Sequence, residues 1–248
     1  MSTIYILWLR QIKRYLRSRS RIIGSLGQPL LFLFALGFGL GPIYAKAGGG
    51  NYITFLAPGV IAMSVLFTSI FSGIEIIWDR QFGFLKETLV APVPRLAVMI
   101  GRTIGGATVA LIQGIIVFCI TFLAGFHPES WSMVPVAILI MFLIAILFTA
   151  IGTAIASVLE DFQGFQLIMN FLVMPLFFLS GALFPLEGLP KAIEIITKLD
   201  PLSYGVDALR FSLIGASHFG IGLDITVLGL MTMFFLWLGS TLFARIQV

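Results

Sequence analysis

The sequence predicts an all-α membrane protein with six transmembrane helices. Hydrophobic residues occupy 59% and charged residues 10% of the 248 positions, whereas a soluble domain carries about 25% charged residues. Six apolar runs each approach the ~20 residues that a helix needs to cross a bilayer. Basic residues gather in every second gap between these runs. The runs cover residues 22–40, 54–78, 103–123, 134–158, 165–184 and 225–244.

The distribution of positive charge predicts that both termini are cytoplasmic. Eleven of the 15 Lys and Arg side chains precede the first run, separate the second run from the third, or follow the sixth. Short loops rich in Lys and Arg stay on the cytoplasmic side. The first run has no small-residue cleavage pattern at its end, so we expect a retained span and not a signal peptide. We predict a multi-pass protein of the inner (plasma) membrane whose net charge of +4 reflects topology and not a nucleic acid partner.

We expect one transmembrane domain over residues 1–248, which begins with an amphipathic helix over residues 1–21 and continues with spans over 22–184 and 221–248. At ~100° per residue, residues 4–21 have an apolar arc opposite a cationic arc. Such a helix can lie in the headgroup plane; whether it is a topology anchor alone or also contacts a cytoplasmic partner stays open. The apolar arc holds Ile4, Tyr5, Trp8, Ile12, Tyr15 and Leu16, and the cationic arc holds Arg10, Lys13, Arg14, Arg17 and Arg21.

The gap between the second and third runs predicts a short cytoplasmic helix over residues 79–89. Apolar residues recur there at spacings of four, three and four, as on one stripe of a helix. Prolines at 92 and 94 end the pattern. A helix that is apolar on one side and charged elsewhere docks in a groove of another protein or rests on the bilayer surface. The stripe consists of Trp78, Phe82, Leu85 and Leu89.

The segment 185–220, on the external side, is too apolar for a solvated loop and too often interrupted by proline for another span. We predict two short re-entrant or interfacial helices that cap the external mouth. The first covers residues 190–199, with Ile193 and Ile196 facing inward, and the second covers 203–213.

Polar residues within the apolar runs are costly in lipid and usually face the bundle interior or a cavity. Glu75 lies about one turn from the cytoplasmic end of the second run. It either snorkels to the interface, pairs with Arg80 or Arg102 there, or serves as a gate or relay. Gln166 and Asn170 are four residues apart and share a helix face. They either hydrogen-bond across a subunit interface or line a pathway.

Two stretches together resemble the permeases of type-2 ATP-binding-cassette (ABC) transporters. The first is the loop after the second run, in which Asp79-Arg80, Gly83 and Leu85 precede Glu87, Leu89, Pro92, Arg95 and Gly101-Arg102. The second reads FFLSGALFPLEGLP over residues 177–190, followed by PLSY at 201–204 and DALR at 207–210. The likeness covers nearly the whole chain and includes the drug and polysaccharide exporters.

The resemblance implies the permease subunit of an ATP-driven exporter for a drug, a glycan or a lipid-like, amphipathic substrate. Two permeases, as a homodimer or a heterodimer in membrane lipid, would work with two copies of an ATPase subunit that binds ATP and Mg²⁺. The helix 79–89 would be the coupling helix, with Asp79, Arg80, Phe82, Gly83, Phe84, Leu85, Lys86 and Glu87 at the ATPase. The pathway or gate candidates are Glu75, Gln166, Asn170, Ser180, Gly181, Phe184 and Pro185.

The chain lacks the motifs of an ATP site and of common hydrolases. A phosphate-binding P-loop needs Gly-Lys, and no Lys in this chain follows a Gly. Neither His-Glu-x-x-His nor Gly-x-Ser-x-Gly occurs. We therefore expect no catalytic residue, cofactor or metal in this chain. Two alternatives remain: an ion-gradient-driven transporter and a membrane scaffold without transport activity.

Overall fold

A computed structural model describes residues 3–48, 50–84, 93–188 and 190–245. Within these ranges the chain is helical without strands, and six segments are long and apolar enough to cross a membrane. The prediction of an all-α protein with six spans is confirmed. Spans one to six are Arg19–Lys46, Tyr52–Gln81, Arg95–Ala124, Trp131–Val158, Phe162–Leu179 and Ile221–Ala244.

Among the helices whose bounds the structure describes, three more flank the spans. The N-terminal helix, Thr3–Arg17, precedes span one. The first short helix, Lys191–Leu199, and the second short helix, Pro201–Ile214, lie between spans five and six. The first of them buries Thr197, whose hydroxyl donates to the Leu179 carbonyl at 3.1 Å. The prediction that Ile196 faces inward is wrong, since it is 49% exposed.

Several spans contain irregular turns. Span one joins the α-helices Arg19–Leu31 and Gly37–Lys46 through a π-helical turn, Phe32–Leu36. This turn follows Pro29, which lacks a backbone donor and disturbs the α-helical ladder. Span two is α-helical over Tyr52–Phe71 and Ile74–Gln81. Span three continues Arg95–Thr121 with the 3₁₀ turn Phe122–Ala124, and span four begins with the 3₁₀ turn Trp131–Met133 before Val134–Val158.

Span two forms the centre of the bundle. Of its apolar stretch, 78% is buried, against 17% for spans one and six and 22% for span five. Glycine permits backbone contact between spans two and four, because a Cβ on Gly73 would lie 2.4 Å from the Gly152 carbonyl oxygen. Spans three and four complete the core, and spans one, five and six expose large apolar side chains along their outer faces.

The N-terminal helix packs along span three. A Cβ on Gly101 would lie 3.1 Å from Ile4, and one on Gly105 would lie 2.7 Å from Gln11. Farther along, the Trp8 indole donates to Thr108 Oγ1 at 3.1 Å. From Ile4 at Gly101 to Tyr15 at Gln113, the contacts progress along both helices in the same overall direction. The helix therefore follows span three, which corrects the expectation that it lies flat in the headgroup plane.

Candidate coupling and gate sites

The bundle has a basic end, where the N-terminal helix meets the last turns of span two. Asp79 lies there, 6% exposed, between two arginines. Arg102 of span three contacts Asp79 through Nη2 and Oδ2 at 2.6 Å. Arg10 donates to both oxygens of the same carboxylate, at 3.0 and 3.3 Å. Charge-assisted pairs of this forked kind fix geometry as well as energy, so Asp79 holds three helices together.

Glu75 lies one turn before Asp79 and forms a second ion cluster. It is 4% exposed, and its carboxylate contacts Arg21 at 2.6 Å and Arg14 at 3.7 Å. The alternative in which Glu75 pairs with Arg80 or Arg102 is wrong. Arg102 forms its ion pair with Asp79. Arg80 contacts Glu160, which precedes span five, at 2.9 Å. Arg14 reaches Glu75 from the N-terminal helix, and Arg21 reaches it from the first turn of span one.

The helix of span two ends at Gln81 and a turn follows at Phe82 and Gly83, so the helix predicted over residues 79–89 is interrupted within its described part. Gly83 has φ +80°, a left-handed conformation that glycine adopts without a Cβ penalty and that stops the helix. Phe82 projects from this turn with 78% of its surface exposed. The remaining predicted coupling residues, Leu85, Lys86 and Glu87, lie outside the described residues.

Phe84 connects this turn to the Asp79 cluster. The Arg10 guanidinium lies over the Phe84 ring, 3.7 Å from its centroid. The same guanidinium donates to Asp79, which is buried and therefore not part of an exposed docking face. Phe84, Arg10 and Asp79 thus form a continuous chain of contacts from the turn to the interior.

Span five exposes the two polar residues that sequence placed on one face. Gln166 and Asn170 are both exposed, whereas Phe165 and Met169 are buried against the bundle. The polar pair therefore points away from the other spans of the same chain. Gln113 of span three behaves differently, because it is buried and its Oε1 accepts a hydrogen bond from the Tyr15 hydroxyl.

The opposite end of the bundle holds the predicted gate residues. Ser180 is buried, and its hydroxyl donates to the Phe177 carbonyl at 2.8 Å. Gly181 has φ +74°, and its carbonyl accepts a 2.9 Å hydrogen bond from Arg210 of the second short helix. The next residue, Ala182, touches span two, since a Cβ on Gly59 would lie 2.3 Å from the Ala182 oxygen. The chain after span five therefore enters the bundle.

A pocket of about 230 Å³ opens beside this segment. Pro185, exposed, lines it together with Arg210 and Asp207. The Arg210 side chain lies 4.2 Å from the centroid of the Phe55 ring, and burial lowers its pKa to about 10. Phe184, half-buried, neighbours the pocket in sequence but does not line it.

Known membrane transport proteins are similar to this chain. A family model described as ABC-2 type transporter matches residues 2–214. The chain belongs to the ABC-2 type transporter family. Nodulation protein J of Rhizobium meliloti (strain 1021) is 28% identical to it over 209 residues, which cover 84% of this chain and 79% of the relative. The inner membrane transport permease YadH of Escherichia coli (strain K12) is 26% identical over 231 residues, covering 92% and 88%.

Sequence reasoning missed several buried charges of this ABC-2 chain. Asp207 accepts hydrogen bonds from Ser217 Oγ and from the backbone N–H groups of His218 and Phe219, at 2.8 to 3.0 Å. Asp200 caps the second short helix by accepting from Leu202 N at 2.8 Å. The sequence feature that could have identified Asp200 and Asp207 is the presence of charged residues in the strongly apolar segment 185–220. Within the described ranges no group of three His, Cys, Asp or Glu side chains is arranged to hold a metal ion.

Proposed function

We propose that this ABC-2 permease chain is the membrane subunit of an ATP-driven exporter in the inner (plasma) membrane. Its basic end and both termini face the cytoplasm, in keeping with the rule that Lys and Arg remain on that side. Membership of a transporter family and six membrane-spanning segments support the transport role. A separate ATPase, in two copies, holds ATP and Mg²⁺.

The observation that carries the coupling proposal is the contact chain from Phe84 through Arg10 to Asp79. In the proposal the ATPase docks on the segment that follows Gln81, with Phe82 as an apolar anchor, and its closure upon ATP binding displaces this segment. Arg10 and Arg102 both contact Asp79, so the N-terminal helix and span three move with it. Packed helices and buried ion pairs can transmit such a displacement, because they shift between discrete arrangements and do not deform continuously.

The docking surface includes charged residues that set partner choice and register. Arg80 is one of them, held near the turn by Glu160. Leu85, Lys86 and Glu87 belong to the same surface in this proposal, which for these three rests on the family resemblance. Gly83 shapes the turn that presents Phe82.

The proposed complex contains two permease subunits that meet along span five. Exposed amide side chains within hydrocarbon are costly unless they find polar partners. Gln166 and Asn170 face outward from the bundle, which supports a second permease subunit opposite them. An amphipathic substrate would pass between the subunits, where the same amides provide polar contacts.

The outward gate is formed, in this proposal, by the chain that enters the bundle after span five. Ser180 and Gly181 anchor it through the Phe177 carbonyl and Arg210, whereas Phe184 and Pro185 lie nearer the surface. Separation of the two permeases would release this segment on the external side. The hydrogen bond of Arg210 to Gly181 is the contact that must change when the gate opens.

The coupling proposal is tested with Phe82→Arg. The purified chain is mixed with its cognate ATPase, and co-purification and stimulation of ATP hydrolysis are measured. We expect Phe82→Arg to abolish both, because a charge replaces the exposed apolar anchor. Leu123→Arg is the matched control, since Leu123 is 81% exposed at the opposite end. Retention of co-purification and stimulation by Phe82→Arg contradicts the coupling assignment.

Transport in sealed vesicles separates the proposal from its alternatives. Export that stops on ATP depletion and survives a proton uncoupler supports the ATP-driven assembly. The reverse result identifies an ion-gradient-driven transporter. Glu75 offers weak support for that alternative, because it is the buried partner of Arg14 and Arg21 and not a free carboxylate.

A further inference from the structure

The N-terminal helix presents a cationic groove on the side away from span three. The groove has a volume of about 1120 Å³ and follows the helix to the bend at Ser18. Tyr5, Ile6 and Leu9 line its first half, and Lys13, Arg17 and Arg19 are among the residues that line its second half. One side of the groove is therefore apolar at one end and positively charged at the other.

The ion pairs divide the six cationic side chains between residues 10 and 21 into two groups. Arg10, Arg14 and Arg21 point inward and contact Asp79 or Glu75. Lys13, Arg17 and Arg19 are exposed and form no ion pair with any residue in the described part of the chain. The second group therefore keeps three positive charges for a ligand.

The groove ends where the apolar run of span one begins. Arg19 is the first residue of span one, and the apolar run starts three residues later at Ile22. Ile23, four residues after Arg19, is 70% exposed, and Tyr5 and Ile6 at the other end of the groove are 46% and 52% exposed. An occupant that carries a negative group next to hydrocarbon complements this surface.

We propose that Lys13, Arg17 and Arg19 form a binding site for the phosphate of an anionic phospholipid in the cytoplasmic leaflet. Basic clusters immediately cytoplasmic of a transmembrane helix attract anionic headgroups, and a lipid also supplies hydrocarbon to cover Ile23. An acidic protein surface would also satisfy the charges, but the apolar run that starts at Ile22 sets them at the start of a membrane span, next to lipid headgroups. The bound lipid would hold the bend at Ser18 in place, next to the ion pairs of Glu75.

The proposal is tested on the full chain alone, without any ATPase, so its outcome is independent of the coupling proposal. Native mass spectrometry measures the equilibrium constants for the binding of phosphatidylglycerol and of phosphatidylcholine to the chain. The test variant combines Lys13→Gln, Arg17→Gln and Arg19→Gln. The matched control combines Lys46→Gln, Lys191→Gln and Lys198→Gln, which removes the same charge from the opposite end.

We expect the test variant to lose roughly tenfold or more in phosphatidylglycerol binding, because each nearby cation contributes to attraction of an anionic headgroup. The control and the charge-preserving variant Arg17→Lys with Arg19→Lys retain binding, and phosphatidylcholine binding is unchanged throughout. An unchanged thermal midpoint of unfolding shows that the test variant is folded. If its midpoint falls, the phosphatidylglycerol affinity of the charge-preserving variant is compared with that of the wild type instead.

Three results overturn the proposal. An equal loss in the control means that net charge and not this groove attracts the lipid. Displacement of phosphatidylglycerol by inorganic phosphate, beyond the effect of sodium chloride at the same ionic strength, assigns the groove to a free anion. Full phosphatidylglycerol binding by the test variant shows that Lys13, Arg17 and Arg19 do not form the lipid site.

Discussion

Asp79 of span two and Arg102 of span three form a buried ion pair with an Oδ2–Nη2 distance of 2.6 Å. Both side chains are nearly inaccessible, with 8% and 3% exposed. Two nitrogens of Arg102, Nε and Nη1, are buried without an acceptor in the described part of the chain. The guanidinium therefore depends on Asp79 for compensation of its charge.

Asp79→Asn should destabilise the chain strongly. Removing one partner of a buried pair leaves the other charge uncompensated, which costs about 3–5 kcal/mol. We expect a clear fall in the thermal midpoint of unfolding in detergent. Glu160→Gln is the control, because Glu160 is 79% exposed beside Arg80 and a surface pair contributes about 0–1 kcal/mol. Equal midpoints for the two variants would show that the Asp79 pair does not stabilise the fold.

Gly73→Ala should separate spans two and four. The new methyl group would lie 2.4 Å from the Gly152 carbonyl oxygen, which is too close for any ordinary contact. Overpacking of this kind typically costs about 1–3 kcal/mol. Gly229→Ala is the control, because nothing lies within 4 Å of that position in span six. Alanine is the better helix former there, by up to about 1 kcal/mol, so this variant should unfold at the same or a higher temperature.

Tyr15→Phe should weaken the attachment of the N-terminal helix to span three. The change removes the donor to Gln113 Oε1 and leaves a buried amide oxygen unsatisfied, which costs about 1–3 kcal/mol. Limited proteolysis within residues 3–17 should become faster. Tyr5→Phe provides the control, since Tyr5 is 46% exposed and its hydroxyl bonds to no described residue. Equal proteolysis rates for both variants would contradict a stabilising role for the Tyr15 hydroxyl.

Asp200 should make stability fall as the pH rises from about 4 to about 8. Burial raises the pKa of Asp200 in the folded chain from 3.8 to about 8. The folded state then binds a proton that the unfolded state has already released, so the free energy of unfolding decreases with pH in this window. Asp200→Asn keeps an acceptor for Leu202 N and cannot ionise. Its unfolding should depend less on pH, and it should exceed the wild type in stability at pH 8.

The same measurement of stability against pH can also contradict the burial of Asp200. If wild type and Asp200→Asn show parallel stability curves between pH 4 and pH 8, the carboxyl group is not buried as the structure has it. Unfolding is best followed in detergent, where both ends of the bundle experience the same pH.

The spans were predictable because hydrophobicity and length are local properties of about 20 consecutive residues. The runs at 22–40 and 134–158 correspond to spans one and four, and the two short helices between spans five and six were expected from their proline boundaries.

The site was only partly predictable. Periodicity continued the helix of span two past Gly83, because apolar spacing does not report the left-handed backbone at one glycine. The pair Gln166 and Asn170 was correctly placed on one face of span five, but amphipathicity could not say whether that face points into the bundle.

The sequence by itself determined that the chain crosses a membrane six times and carries its cations in alternate loops, since both depend on neighbours along the chain. Tertiary structure decided that Asp79 belongs to Arg10 and Arg102, and Glu75 to Arg14 and Arg21. Arg10 and Asp79 are 69 residues apart. Ion pairs act over a few ångströms, so their partners are set by which helices pack together, and no local pattern contains that information.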